Sequence, residues 1–295
     1  MKPAAFDYIV PGSLEEATAA LAAGSGEAKV LAGGQSLVPM LNFRLLKPAI
    51  LVDINRIPGL AFIKEERVAI RVGALTRHRQ LEISPVISRH LPVLSEAMTY
   101  VAHLAIRNRG TFGGSLSHAD PAAELPMMAM LLDAELAIVS RTKARHVAAR
   151  DFFQDALTVD LAHDEIVSEI VLPKLAPGTG WGFEEVSRRA GDFALAATAV
   201  TIALSDDAVS EARIAVTGMG SKPLRMSEAE ARLVGHALDA ELIAQASTLV
   251  SALVEPNTDL HASSDYRRHL LGVLVGRALE AAWRRARDGT QGRTT

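Results

Sequence analysis

Leu31–Leu41 reads LAGGQSLVPML: a strand-like apolar run stops at Gly33-Gly34 and resumes as a helix start at Ser36. Adjacent glycines after a strand let the backbone turn freely and remove the side chains that keep a ligand away. Successive bare amides at the start of a helix can cradle an anion such as a phosphate. Taken alone, the pair is equally well a tight turn. A second stretch, IRNRGTFGGSLSHADPAAELP (Ile106–Pro126), repeats the chemistry with Gly110, Thr111, Gly113, Gly114, Ser115 and Ser117, flanked by Arg107 and Arg109. Two cradles suit a diphosphate. No GxGxxG at a first strand–helix turn and no GxxxxGK[ST] is present, so neither a Rossmann fold nor a P-loop is supported.

Working outward, the 295 residues suit two domains better than one. Hydrophobic residues at 49% and charged residues at 22% predict a folded chain with a sizeable core. A net charge of -3 provides no strong field for nucleic acid or an anionic membrane, which favours small-molecule chemistry. The chain has no cysteine, which excludes disulfides, thiol nucleophiles and a cysteine-held iron–sulfur cluster within it. Any redox role then needs another carrier. No signal-peptide pattern is seen, and Asp133 interrupts the apolar run MMAMLLDAELAIV, so the chain is expected to be soluble and cytoplasmic, without a membrane span.

Ser13 is placed to cap the helix LEEATAALAA, which Gly24 closes. EAKVLA and AILVDINRI are expected strands, and RVAIRVGAL alternates Val68, Ile70 and Val72 as a half-buried strand should. A helix is expected from Pro92 to Val101, then a long irregular segment before the helix ELPMMAMLLDA. AELAIVS, ARHVAA and DEIVSEIVLP are further strands, and PKLAPGTG (173–180) is the best linker candidate. GFEEVSRR, ALAATAVTIAL and EARIAVTGMG predict an antiparallel meander. The last helix puts Leu270, Leu274, Ala278 and Ala282 on one stripe and arginines 267, 268, 277, 284, 285 and 287 on the other, ahead of a loose tail, TQGRTT.

AGGQSL and IRNRGTFGGSLSHADPAAELP together closely resemble the two flavin loops of the FAD-binding medium subunits of molybdenum hydroxylases, the carbon monoxide dehydrogenase and xanthine dehydrogenase group. FDYIVPGSLEEA, VGALTRHRQLE, ARDFF, SRRAGDFALAATAV, SKPLR and DYRRHLLGVLVGRAL extend the resemblance over nearly the whole chain. It implies an α+β fold: a two-subdomain FAD-binding fold of the vanillyl-alcohol-oxidase and p-cresol-methylhydroxylase type, plus a small C-terminal domain with a three-stranded antiparallel sheet and helices. The implied division is residues 1–175 for the FAD-binding domain (subdomains about 1–56 and 57–175), 176–289 for the C-terminal domain and 290–295 for the tail. Carried over by position, Val30, Leu31, Ala32, Gly33, Gly34, Gln35, Ser36 and Leu37, with Gly110, Thr111, Gly113, Gly114 and Ser115, would wrap the FAD pyrophosphate, Ser117 adding to the cofactor-binding set. Val101 and Ala102 would lie beside the ring system or its linker, Asp120 and Glu124 would meet ribose or ribityl hydroxyls, and Val167 would contact the adenine side. Phe193 stands where many relatives carry an aromatic near the flavin ring; the alternative is a core aromatic. Some members have a lysine in the preceding strand, where Glu184 and Glu185 stand here.

The resemblance further implies an oxidoreductase without a catalytic acid, base or nucleophile on this chain: an electron-transfer flavoprotein subunit with non-covalent FAD. Electrons would arrive from [2Fe-2S] clusters of a small subunit beside a large molybdenum-pterin subunit, in a heterotrimer that is itself doubled, and pass to an external acceptor. The substrate would bind on another chain. A self-contained FAD-dependent oxidase or reductase and a non-catalytic nucleotide-binding module are the rival readings. His118 and Asp120 lack a third partner for a metal site, and Ser36 lacks a nucleophile elbow. Histidines 78, 90 and 103 are expected on helices in surface or core roles, and the arginine-rich face of the last helix as solvated or as a subunit contact.

Overall fold

A computed structural model describes residues 1–291, and three larger sheets, with one two-stranded hairpin, organise them. The first is built from β1 (Asp7–Ile9), β2 (Ala28–Leu31) and β3 (Ile50–Asp53), all parallel, in the order β1-β3-β2. Between β1 and β2 runs α1 (Leu14–Ala23), whose first turn is capped by the Ser13 hydroxyl accepting from the Glu16 amide at 3.1 Å. Ala17 and Leu21 of its inner face pack with Val52, Ile54 and Leu60 in a small core. Helix α2 (Leu37–Asn42) follows the Gly33-Gly34 turn.

Next come β4 (Ile63–Glu65), β5 (Ala69–Gly73), α3 (His78–Glu82), α4 (Pro85–His90), α5 (Pro92–Tyr100), α6 (Leu104–Arg107), α7 (Phe112–His118) and α8 (Glu124–Leu131). After them are β6 (Glu135–Val139), β7 (Ala144–Ala148), α9 (Ala149–Phe152), the hairpin of β8 (Phe153–Asp155) and β9 (Thr158–Val159), and β10 (Ile166–Pro173). The second sheet is antiparallel in the order β4-β5-β10-β6-β7, with the last strand of the segment at its centre. The expected irregular stretch before α8 is instead two short helices, α6 and α7, of 4 and 7 residues. Val68 precedes β5 and is 61% exposed, so the buried alternation starts only at Ile70 and Val72. Met98, Met127 and Met128 are fully buried in the core of this lobe.

The third sheet comprises β11 (Gly180–Ser187), β12 (Ala194–Ser205), β13 (Ala208–Thr217) and β14 (Leu224–Arg225). The expected meander is therefore completed by a fourth, two-residue strand. Helices α10 (Ser227–Leu233), α11 (Ala240–Ala252) and α12 (Ser264–Gln291) follow. Pleating divides the sheet: Ala197, Ala199 and Ala215 join the core of the preceding lobe, while Ala196, Val200 and Ile214 pack under α11 and α12. Helix α12 turns Leu271, Leu274, Val275, Ala278 and Ala282 inward, and Leu270 lies at the margin. Arg267 is not on an outer face but 7% exposed, donating to the Leu195 carbonyl at 2.6 Å and to Asp259 at 2.7 Å. Because α12 continues to Gln291, the loose tail does not begin at residue 290; its remainder, 292–295, lies outside the described residues.

Candidate functional site

The two glycine stretches meet. A Cβ on Gly33 would fall 2.4 Å from the Arg109 carbonyl oxygen and 2.8 Å from the Gly110 Cα, so only glycine permits this contact. Gly34 has φ +73°, a left-handed turn that glycine takes at little cost. Among the described residues, the amides of Gly33, Gly34, Gln35 and Ser36 donate to no protein acceptor. Ser36 stands at the N-cap of α2, yet its hydroxyl makes no capping bond. Gln35 folds back on its own turn, its amide nitrogen 2.9 Å from the Gly33 oxygen. Val30, Leu31, Ala32 and Leu37 frame this loop from the end of β2 to the start of α2.

The second stretch is built differently. Its amides are largely spoken for: Phe112 donates to the Thr76 oxygen and Gly113 to the Ala74 oxygen, both at 2.9 Å, and Gly114 to the Thr111 hydroxyl at 3.2 Å. Gly113 is required by packing, since a Cβ there would come 2.5 Å from that of Ala74. What this stretch presents is the start of a helix with partly exposed Gly114, Ser115 and Ser117. A Cβ on Gly114 would meet the Thr111 hydroxyl at 2.5 Å and point towards Ala32 of the first loop.

Beneath the second stretch lies His78, only 6% exposed. Its Nε2 is 3.0 Å from the Thr111 oxygen, and a carbonyl only accepts, so Nε2 carries the proton and Nδ1 is left without a partner. Burial, with the nearby Arg107 and Arg77, pushes the imidazole down to about 4. Arg107 also fixes the turn after α5, donating to the Val101 and Ala102 carbonyls at 2.9 and 2.7 Å and to Glu82 at 2.9 Å. Ala102 is held there at φ +44°, a conformation costly for a residue with a Cβ.

The loop after β11 reaches this same turn. A Cβ on Gly191 would be 2.7 Å from the His103 ring and 3.1 Å from the Ala102 carbonyl carbon. His103 is the N-cap of α6 rather than a helical residue. Phe193 closes the loop at 57% exposure, which removes the core alternative for that side chain. Asp120 accepts from the Ala122 amide at 2.9 Å and shapes the turn into α8. Glu124, first residue of α8, is 4% exposed, and burial followed by Asp120 pushes its carboxyl up to about 7. Glu185 of β11 is pushed up to about 8 by burial and by Glu124, and its Oε2 has no partner. Val167 lies on β10, paired with Ile138, and at 4% exposure is part of the core.

These features match known proteins. Residues 4–175 match the family described as the FAD binding domain in molybdopterin dehydrogenase, and residues 181–282 match the CO dehydrogenase flavoprotein C-terminal domain. The chain belongs to this family of flavoprotein subunits. It is 44% identical to the 6-hydroxypseudooxynicotine dehydrogenase complex subunit alpha of Paenarthrobacter nicotinovorans, over 97% of each chain. It is 39% identical to the carbon monoxide dehydrogenase medium chain of Hydrogenophaga pseudoflava, covering 97% of this chain and 99% of that one. Among solved structures it superimposes on carbon monoxide dehydrogenase from that organism with a TM-score of 0.95 at 40% identity, covering 97% of this chain and 99% of the other. With quinoline 2-oxidoreductase from Pseudomonas putida 86 the TM-score is 0.93 at 36% identity, covering the same shares. The flavoprotein subunit is thus an oxidoreductase component with a domain for FAD, in the α+β fold expected. No described helix is long and apolar enough to cross a membrane.

Sequence reasoning did not single out Asn55 and Arg77, which link the carbonyls of Ala32 and Arg109, or Thr217, whose hydroxyl donates to the Pro121 carbonyl in the turn before α8. It placed His78 among unassigned histidines, and it noted Glu185 only as a departure from a lysine. A lone histidine five residues after the end of β5 carries no signal of what packs on it.

Proposed function

We propose that this chain is the FAD-holding relay of a cytoplasmic molybdenum hydroxylase. It takes electrons from [2Fe-2S] clusters of a small subunit and passes them to an external acceptor, while a large molybdenum-pterin subunit oxidises the substrate. The proposed assembly is a heterotrimer that pairs into a dimer of trimers. Residues 1–175 form the FAD-binding domain, in subdomains of about 1–56 and 57–175, and the C-terminal domain starts at 176.

The observation that carries the reading is the row of four unpaired amides, Gly33 to Ser36, set against a helix start bearing Ser115 and Ser117, with Gly33 in contact with the second stretch. Unpaired amides and a helix N-terminus suit a diphosphate, and the donor set is otherwise unexplained. Val30 to Leu37 hold one phosphate, and Gly110, Thr111, Gly113, Gly114, Ser115 and Ser117 shape the seat of the other. Asp120 and Glu124 take hydroxyls of the sugar and ribityl chain, for which carboxyl groups are strong partners. Val101 and Ala102 border the ring, Phe193 covers it, and Val167 borders the adenine side. Bound FAD supplies the redox chemistry; the protein binds it, orients it and sets its surroundings.

Gly34→Val and Gly114→Val should each lose the flavin absorbance of the purified chain while circular dichroism stays near that of the parent, because valine strains the left-handed turn at Gly34 and at Gly114 its Cβ would fall 2.5 Å from the Thr111 hydroxyl, so each substitution reshapes its loop locally. Full flavin occupancy in both variants would overturn the two-loop site. Reduction of the isolated subunit by an organic substrate, with no partner subunit added, would favour the self-contained enzyme instead.

A further inference from the structure

The two loops are joined by side chains as well as by contact. Arg77, at the N-cap of α3, donates through Nη1 to the Arg109 carbonyl, the last oxygen before Gly110. Its Nη2 lies 2.8 Å from Oδ1 of Asn55. The Asn55 amide nitrogen in turn donates to the Ala32 carbonyl at 2.7 Å, the last oxygen before Gly33. Asn55 is itself anchored, its side-chain and backbone nitrogens 2.6 and 2.9 Å from Oδ1 of Asp53, whose Oδ2 accepts from the Tyr8 hydroxyl. From the first cradle to the second, the connection is two side chains long.

We propose that Asn55 and Arg77 form a strut that sets the distance between the two phosphate cradles, which makes Arg77 a positioning residue for ligands carrying two phosphates. The proposal rests on the FAD reading above. Contact at Gly33 stops the loops from closing further, and the strut stops them from opening, so their spacing is bounded from both sides. Each bonded carbonyl is also withdrawn from competition: an oxygen left free at either glycine would repel a phosphate. Arg77 and Arg109 stand close enough for each charge to oppose the other, a repulsion that an anion between the loops relieves.

A strut fixing a spacing matters to a ligand that spans both cradles and little to one that fills a single seat. The test is calorimetric titration of the full chain, stripped of flavin, with FAD, ADP and AMP, for the parent, Asn55→Ala, Arg77→Ala, Arg77→Lys and the double alanine variant. Loss of about ten-fold in FAD and ADP affinity is expected for each alanine variant, with AMP changed by much less. The double variant should be no weaker than either single one, because both break the same connection. Arg77→Lys keeps the charge but not the two-pronged geometry, and should resemble Arg77→Ala in its ratio of ADP to AMP affinity. Equal loss for ADP and AMP, or rescue by lysine, would overturn the strut in favour of simple charge attraction, and unchanged affinity in all variants would exclude any role. Gly114→Val, titrated alongside, separates the two levels: parent-like FAD binding there overturns the two-loop reading, whereas FAD loss there with no effect at Arg77 overturns the strut alone.

Discussion

At the scale of the residue, His78 shows how the proposed FAD loop can depend on a buried side chain beneath it. Its neutral ring fills the space beneath Gly110, where a Cβ would come 2.8 Å from the imidazole, and it supports the Thr111 carbonyl. With the folded group held to about 4 and an ordinary histidine near 6.5, the unfolded chain binds the extra proton first as pH falls. The stability that His78 contributes is therefore full above about 6.5 and is lost progressively down to about 4. Because Glu124 and Glu185 act in the opposite direction in both proteins, the check is the difference: on going from pH 6.5 to 4 the thermal midpoint of the parent should drop relative to that of His78→Gln. Little of this was legible beforehand. A strand, two glycines and a serine announce a turn and a helix start, and Gly33-Gly34 is that. Nothing in local spacing signals that Gly113 serves Ala74, that Arg107 holds two carbonyls, or that Asn55 and Arg77 meet, because each depends on partners brought together by the fold.

At the scale of the element, the close seat of α12 on the third sheet depends on two glycines of β11. Cβ atoms at Gly180 and Gly182 would fall 1.9 Å from the Ala282 oxygen and 2.1 Å from the Ala278 oxygen, so strand and helix backbones nearly touch. Gly182→Val must push α12 away from a core that includes Leu274, Val275 and Leu279, and a loss of about 2–3 kcal/mol in a denaturant titration is expected, at the upper end of the range for overpacked cores. The strands and long helices were readable because their apolar periods are regular. α6 and α7 were not, since a helix of 4 residues, or one of 7 that contains two glycines, has too few turns for a period to show. Arg267 likewise lay among arginines read as a solvated face, and only the Leu195 carbonyl and Asp259 account for its burial.

At the scale of the whole molecule, the third sheet is stitched to the FAD-binding lobe where Glu124 enters α8. The Thr217 hydroxyl donates to the Pro121 oxygen at 2.8 Å, and the Gly218 amide to the same oxygen at 2.9 Å. Glu124 and Glu185, one from each side of this seam, are both raised well above the ordinary carboxylate range. A carboxyl held protonated in the fold but ionised in the unfolded chain costs stability as pH rises, here from about 4.5 until Glu185 ionises near 8. Glu185→Gln should therefore raise the thermal midpoint at pH 8.5 much more than at pH 5.5; an equal change at both would show that the buried charge is not responsible. The two-lobed plan and its meander could be anticipated from the change of pattern after PKLAPGTG. The seam could not, because Glu124 and Glu185 belong to different lobes.

Strand order carries a consequence for how such a protein is made. β3, at the centre of the first sheet, follows both of its neighbours in the chain, so that sheet is complete once Asp53 has been translated. In the second sheet, the central strand β10 is also the last to be synthesised, and the edges have nothing to join them until Pro173 leaves the ribosome. Non-local pairing of this kind delays closure. The first glycine loop can thus be folded and waiting well before its opposite half is fixed in place, and Thr217, which braces the turn into α8, emerges later still. A nascent chain therefore has one glycine loop long before the other is fixed opposite it, and capture of FAD at the proposed site belongs to the end of synthesis or after it.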